Sequence, residues 1–504
     1  MAALKIPILS IADLSFRYPG TDTEGPDAEG AAGTRVLDGL SLDVPRVGRT
    51  VILGKADAGK TTLTRIIAGL VPRFTGGALS GSIVVNGGDT QQVPPFDLLQ
   101  SVGLVAQDSD EQLLTTRCDT EVAFALESLG VPRDRMRVQV DESLRKAGLS
   151  GFAARNPATL SGGEKKRLLV ACLDAIRPDL WLLDEALGEL DSEWKARILD
   201  IIAESGGTAL LLESRWSTLI ASSCSTFRLL DQGRVTASAK DSDDESFLAS
   251  LTDAGIRQGK PAQRRSAAGR GSLLVQGLRF RFETATGFEL EIESLELRLG
   301  ETCALVGRNG SGKSTLGKIL CGLLRPQAGT IGKAGAQGTV ALRADDLHST
   351  VGYLFQNPDH QIYLPSVREE LSLGLRRQRI DRREIDRRVE ASAEVFGLTD
   401  LSAPPALLSY GARRRLQAAT FFLLSRDLLI LDEIDTGLSY REVEALIDAL
   451  ASREPGIVLI THDMALAQAS CGRILVMNEG RITGDTVPGR PESADVPGST
   501  AVPR

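Results

Sequence analysis

Several features are missing from this 504-residue chain. No apolar run approaches the roughly 18 residues needed to cross a bilayer, so no membrane-spanning helix is expected. Six cysteines (Cys118, Cys172, Cys224, Cys303, Cys321, Cys471) are scattered without a CxxC pair. That spacing argues against a zinc site or disulfide framework and for reduced thiols in a cytosolic protein. Positive charge is not in excess: the formal net charge is −8 and the pI about 5.3. A nucleic-acid-binding body is therefore not expected. The opening MAALKIPILSIADLSF lacks the charged start and small-residue cleavage site of a signal peptide. Any membrane role would be that of a soluble partner. What is present is a globular composition, 42% hydrophobic and 25% charged. The length suits about two to four compact units.

The chain repeats itself. GKADAGKT begins at Gly54 and GRNGSGKS at Gly307, 253 residues apart. Gln107 and Gln356 are 249 apart; LSGGEKKR at 160–167 and LSYGARRR at 408–415 are 248 apart. WLLDE at 181–185 and LILDE at 429–433 keep the 248 offset, and DQGR and NEGR, at 231–234 and 478–481, are 247 apart. Offsets this steady mean a tandem duplication with small insertions and deletions. The expected division is a first domain at 1–240, a flexible linker at 241–271, a second domain at 272–484 and a disordered tail at 485–504. The insert TDTEGPDAEGAAG at 21–33 reads as a surface loop. Short apolar runs (VILG, ALLLE, TCALVG, IVLIT) alternate with helical patterns, the signature of an α/β sheet with function at the strand C-termini.

Each landmark carries chemistry. In GxxxxGK[ST], glycines let backbone N–H groups cradle phosphate oxygens at a helix start. The nucleotide-binding candidates are Gly54, Gly59, Lys60, Thr61 and Thr62 in the first copy. In the second they are Gly307, Asn309, Gly310, Gly312, Lys313, Ser314 and Thr315. Lys60 and Lys313 reach outer phosphates, while Thr61 and Ser314 are candidate Mg2+ ligands. Apolar strands ending in Asp-Glu put Asp184 and Asp432 near the metal, and let Glu185 and Glu433 polarise an attacking water. Gln107 and Gln356 can hold metal or water. Ser161, Gly162 and Gly163, and Ser409 and Gly411, form Ser-Gly turns that open a helix, both a cap and a second phosphate-grasping arrangement.

In this order, twice over, the motifs resemble the ATP-binding-cassette ATPases. The resemblance implies two tandem P-loop NTPase domains, each a RecA-like α/β core with an antiparallel β subdomain and an α-helical subdomain. It implies ATP and Mg2+ as cofactors. It also implies an intramolecular head-to-tail dimer, each ATP lying between one domain's phosphate loop and the other's Ser-Gly signature. Tyr18 in FRYPG and Phe282 in FRFET align with the family's adenine-stacking aromatic. The segments Q107-DSDEQL and Q356-NPDHQI, with LVPRFTGGALSGSIVVNGGDT at 70–90, resemble the energy-coupling-factor class of vitamin and transition-metal importers. That likeness implies a transmembrane scaffold (T component) and a substrate-capture membrane protein (S component) as partners, no nucleic acid, and a place at the cytoplasmic face of the membrane. Asp110, Glu111 and Asp359 are then the acidic contacts to the scaffold, with Ser109 departing from the pattern. The Arg-rich RRQRIDRREIDRR at 376–388 reads as a solvated helix face. Two rivals are the fused ATPase of a sugar importer and a soluble twin-cassette translation factor. The first is disfavoured by QNPDHQ, the second by the short linker and altered signature.

The copies differ. His462 stands where the family has its switch histidine, and counting back 247 gives Arg215. Tyr410 replaces Gly162 in the signature and is expected to restrict that turn. Ser439 stands where the first copy has Asp191. In the head-to-tail arrangement these departures gather at one site. The expectation is one hydrolysing site, with Glu433, His462 and Gln356, and one that mainly binds ATP, with Glu185.

Overall fold

The strands LWLLD (Leu180–Asp184) and LLILD (Leu428–Asp432) are buried along their whole length, as strands covered on both faces must be. A computed structural model describes residues 6–19, 35–188, 190–258, 271–282, 288–335, 338–378 and 380–487. It divides the chain into two compact units, Met1–Arg257 with Thr436–Ser439, and Gln258–Asp435 with Tyr440–Arg504.

In the first unit a six-stranded sheet runs in the order Arg234–Ala239, Thr226–Asp231, Arg49–Leu53, Thr208–Glu213, Leu180–Asp184, Val102–Val105. All neighbours are parallel except the edge strand Arg234–Ala239. The second unit repeats this with Arg481–Thr486, Arg473–Asn478, Thr302–Val306, Gly456–Ile460, Leu428–Asp432 and Val351–Leu354. The parallel register brings the C-terminal ends of four landmark strands to one edge of each sheet.

A four-stranded antiparallel sheet completes each unit: Arg35–Val44, Leu9–Arg17, Ala78–Val85 and Gly88–Asp89 in the first, Glu289–Arg298, Ser272–Arg281, Ala328–Gly335 and Gly338–Ala341 in the second. Inward residues such as Leu37 and Leu40, on either side of a register shift, share a core with Leu63 and Ile66 of the phosphate-loop helix. Leu290 and Ile292 do the same with Leu316 and Ile319. Three helices form a third part: Cys118–Ser128, Arg133–Lys146 and Gly162–Ile176, sharing Val122, Leu126, Leu144 and Leu168. Their counterparts are Val367–Arg377, Arg382–Val395 and Tyr410–Leu424. The expected α/β core, antiparallel β subdomain and α-helical subdomain are thus all present in both units.

The seam differs from expectation. Glu245–Asp253 is a helix capped by Asp244, not flexible linker. Phe247, Leu251 and Ile256 are buried with Leu183 and Phe227. The helical spacing of these apolar residues provides a reason: each contributes about 2 kcal/mol when buried. At the other end, Arg481–Thr486 is a strand, so residues 485 and 486 are not tail. The remaining linker residues 259–270, the insert at 21–33 and the segment 488–504 lie outside the described residues.

Candidate functional site

Each phosphate loop leaves the C-terminal end of its strand and enters a helix, Lys60–Ile67 or Lys313–Leu320. Gly59 and Gly312 sit at φ 98° and 103°, where a Cβ would meet Leu37 at 2.9 Å or Phe288 at 2.8 Å. Only glycine allows that close approach. Lys60 Nζ donates to the carbonyls of Gly54 at 2.6 Å and Lys55 at 2.8 Å. Lys313 Nζ donates to Gly307 at 2.8 Å and Arg308 at 2.9 Å. Both ammonium groups bridge the mouth of their own loop, beside the positive end of the helix. The loops differ at a left-handed position: Asp57 (φ 63°) stands where the second copy has Gly310 (φ 79°). Aspartate tolerates the left-handed conformation, and it adds a negative charge to a loop whose second copy has none at that position.

Asp184 and Asp432 end their strands in full burial. Desolvation, then the charge of the adjacent glutamate, pushes each carboxyl up to about 6. Asp184 Oδ1 is buried without a hydrogen-bond partner. Ser314 Oγ donates to Asp432 Oδ1 at 3.1 Å. Tyr353 Oη donates to Asp432 Oδ2, and burial with the Asp432 charge raises the phenol's pKa, keeping it a donor. A desolvated carboxylate beside a hydroxyl is a hard oxygen donor set that suits Mg2+ in both units; Asp184 keeps one oxygen unsatisfied, whereas both oxygens of Asp432 are held by hydroxyls. Among the described residues no group of three or more His, Cys, Asp or Glu side chains is arranged so that it could hold a metal ion by itself. Such a site therefore needs phosphate oxygens and waters to complete its shell, as Mg2+–nucleotide sites do.

Glu185 and Glu433 follow in the left-handed region, at φ 51° and 47°. That conformation costs a non-glycine residue about 1–3 kcal/mol and concentrates at functional sites. Their surroundings then diverge. Gln356 Nε2 donates to Glu433 Oε2 at 3.0 Å, and His462 Nδ1 lies 3.9 Å from Oε1. Glu185 Oε1 accepts from Ser214 Oγ and lies 3.4 Å from Lys60 Nζ. Lys60 also donates to Ser214 Oγ at 3.1 Å. No hydrogen bond joins Gln107 to Glu185 among the described residues.

The sheet register corrects the histidine's counterpart. Asp184 pairs with Leu212 and Asp432 with Ile460. Glu185 N and Glu433 N donate to the carbonyls of those same partners, each at 2.9 Å. Two residues beyond Ile460 is His462; two beyond Leu212 is Ser214. Arg215 matches Asp463 instead. A shift of one residue along a strand reverses the direction of the side chain, so the 247 offset taken from a distant landmark points to the wrong one. One step earlier, Glu213 matches Thr461. Burial, then the Glu185 charge, raises the Glu213 carboxyl well above the usual range.

The signature turns are helix N-termini. Ser161 forms a capping box: its Oγ accepts from Glu164 N at 3.4 Å, and Glu164 Oε2 accepts from Ser161 N at 2.8 Å. Ser409 Oγ accepts from Ala412 N at 3.1 Å, with no glutamate to reciprocate. Gly163 and Gly411 are buried one step further in. The expected restriction by Tyr410 is not observed. Neither Gly162 nor Tyr410 takes a left-handed backbone, so the first helical position accepts a side chain. The Tyr410 ring turns back on its own unit, with Oη donating to Gln356 O at 3.3 Å and Arg414 5.1 Å from its centroid.

Lys166 and Arg414 were not anticipated. Each is only 1% exposed. Lys166 Nζ donates to the carbonyls of Ala106 at 2.6 Å and Gln107 at 2.5 Å. Arg414 donates to Phe355 O at 2.8 Å, to Glu433 O at 3.3 Å and to Gln356 O. The signal was a cation at one repeat position of an otherwise apolar helix face. The segment after each glutamine folds alike. Gln112 Oε1 accepts from Ala106 N at 2.7 Å, and Gln361 Oε1 from Phe355 N at 3.0 Å. Its acids pair within their own unit: Asp110 with Lys165 at 2.5 Å, Glu111 with Arg65 at 3.4 Å, Asp359 with Arg413 at 3.3 Å. The aromatics also match: Tyr18 lies edge-on to Phe16 and Phe282 edge-on to Phe280, both at 4.8 Å. Phe282 is 38% exposed, whereas Tyr18 is half-buried with its hydroxyl 3.3 Å from Thr62 Oγ1.

Comparison with known proteins adds the following. The ABC transporter family model matches residues 37–188 and again 290–436. A protein of Caldanaerobacter subterraneus subsp. tengcongensis, described as "Putative ABC transporter ATP-binding protein", is 29% identical over 94% of this chain and 90% of its own length. A protein of Methanosarcina mazei with the same description is 28% identical over 95% of this chain and 88% of its own. A solved structure of cbiO1 from Clostridium perfringens, described as part of the ABC transporter complex cbiONQ, is 28% identical. It covers 43% of this chain and 88% of its own, with a TM-score of 0.39.

Proposed function

This chain belongs to the ABC transporter family, and we propose that it is the energy-coupling ATPase of an importer of the energy-coupling-factor kind, serving a vitamin or a transition-metal ion. It is an ATP-binding ATPase with two fused cassettes. The importer class is supported by the post-glutamine segments, QDSDEQL and QNPDHQI, and the way Gln112 and Gln361 fold them. In this reading a transmembrane scaffold and a substrate-capture membrane protein complete the transporter at the cytoplasmic face of the membrane.

The two cassettes act head to tail, each nucleotide held by one phosphate loop and the other cassette's Ser-Gly turn. The second cassette's pocket hydrolyses, completed by Ser161, Gly162 and Gly163. The first cassette's pocket, completed by Ser409 and Gly411, mainly binds. One observation carries the asymmetry: Glu433 is flanked by Gln356 and His462, whereas Glu185 is held by Lys60 and Ser214. The ammonium 3.4 Å away occupies the side of the carboxylate that an attacking water would need and ties it to the phosphate loop. At the second pocket, Lys313 exchanges its loop carbonyls for phosphate oxygens. Glu433 accepts the proton of the attacking water, and Gln356 and His462 fix that water's position. Ser314, Asp432 and Gln356 are the residues that would hold Mg2+, which when bound would neutralise charge on the phosphates.

The test compares Glu433→Gln with Glu185→Gln by ATP turnover of the assembled transporter. A loss of about 100-fold or more is expected for the first and less than about 3-fold for the second; equal losses overturn the asymmetry. Copurification tests the class. A small set of polytopic membrane proteins supports the importer reading, and ribosomes overturn it.

A further inference from the structure

The two aspartates that end the central strands are steadied from opposite sides by different residues. In the second unit the hydroxyl comes from the sheet: Tyr353, on strand Val351–Leu354, donates to Asp432 Oδ2. In the first unit it comes from the phosphate-loop helix: Thr64 Oγ1 lies 3.3 Å from Asp184 Oδ2.

The swap is matched at both positions. Tyr353 pairs with Ile430 as Leu104 pairs with Leu182, so the strand position holding tyrosine in one copy holds leucine in the other. Counting from Lys60 and Lys313, the helix position of Thr64 belongs to Gly317. A Cβ on Gly317 would come within 2.7 Å of Tyr353 Cε2. The glycine makes room for the ring, and where the ring is absent a threonine supplies the hydroxyl.

The two solutions are not equal. A threonine hydroxyl has one proton to donate, and Thr64 Oγ1 lies closer to Thr61 O, at 2.8 Å, than to Asp184. Thr61 approaches Asp184 as Ser314 approaches Asp432, yet Asp184 Oδ1 is left without a well-formed hydrogen bond. Asp432 has both oxygens engaged, Oδ1 by Ser314 and Oδ2 by Tyr353. A phenol anchored in the sheet core fixes the carboxylate before any cation arrives.

We propose that Tyr353 is a positioning residue for the second cassette's metal–nucleotide site, that Thr64 is its weaker substitute in the first, and that the Thr64/Leu104 to Gly317/Tyr353 exchange gives the second site the tighter hold on a divalent cation. This rests on the reading of both loops as Mg2+–nucleotide sites.

The experiment uses the full chain with ADP and Mn2+ in place of Mg2+, followed by electron paramagnetic resonance. Two classes of bound Mn2+ are expected. Tyr353→Phe, which keeps the ring, should weaken the tighter class about 10-fold, with ADP affinity in EDTA unchanged. Gly317→Thr with Tyr353→Leu should give a second site like the first, and Thr64→Gly with Leu104→Tyr should tighten the first. Two classes untouched by Tyr353→Phe would overturn the positioning role while leaving the nucleotide reading intact. No nucleotide-dependent Mn2+ binding in the unaltered chain would sink that reading and this inference together. A Tyr353→Phe loss that persists equally in EDTA would also overturn it, since the hydroxyl would then serve nucleotide binding generally.

Discussion

Glu185 and Glu433 share a strand end, a left-handed backbone and a buried aspartate before them. Around the first, Lys60 and Ser214 close a short polar chain back to the phosphate loop. Around the second, Gln356 and His462 approach while Lys313 bridges loop carbonyls. The lesson is that one backbone scaffold can hold the same carboxylate in two roles. A base must be available to water; a carboxylate tied to an ammonium is a counter-ion.

That contrast can be attacked at several points. The largest effect is expected at the buried cations that tie the signature helix to the segment holding the glutamine. Arg414→Met removes the charged donor from the carbonyls of Phe355, Gln356 and Glu433, of which Phe355 O keeps Gln417 Nε2 and Gln356 O keeps Tyr410 Oη. A loss of about 3 kcal/mol is expected, confined to the second unit's transition in scanning calorimetry. Lys166→Met removes two such bonds and should cost about 2 kcal/mol, in the first unit's transition only. The reverse order would mean that the two tethers are not equivalent devices.

Next comes the pair that the strand register matches. His462→Ala should lower ATP turnover by about 10- to 100-fold, and Ser214→Ala by less than about 3-fold. Similar losses would show that Ser214 does the histidine's work. Arg215→Ala should leave turnover within about 2-fold, because the register does not put it at the histidine's position. A large loss there would restore Arg215 as the counterpart.

The smallest effect concerns the acids after each glutamine. Arg413→Gln and Lys165→Gln break ion pairs to Asp359 and Asp110, whose side chains are 39% and 43% exposed. Each should change stability by less than about 1 kcal/mol in urea unfolding. Freed from their pairs, those acids should bind the scaffold at least as well as before, measured by copurification. Loss of the scaffold in either variant would mean that the cation, not the acid, makes the contact.

How far the chain could be read in advance varies by residue. The phosphate loops, Asp184, Asp432, both glutamates and both glutamines stand out because their chemistry demands particular residue types at short range. Lys166 and Arg414 hide in strings of basic residues, KKR and RRR, where composition suggests solvent. Only the fold shows which member of each string turns inward. Tyr410 reads as disruptive because glycine occupies its position in the other copy, yet that position is the first of a helix, where an ordinary backbone suffices. The helix Glu245–Asp253 was masked by the polar run before it, although its apolar spacing was in view.

Motif order and periodicity were enough for the duplicated α/β architecture, the phosphate-binding loops and the acidic strand ends. These depend on local chain geometry: a turn that needs glycine, a helix that needs a cap, a strand buried on both faces. Partner identities across the sheet were a different matter. That Ser214 rather than Arg215 meets Glu185, and that Tyr353 and Thr64 hold equivalent aspartates, depend on how strands far apart in the chain align. A shift of one residue there turns a side chain to the opposite face, and nothing in the local sequence records it.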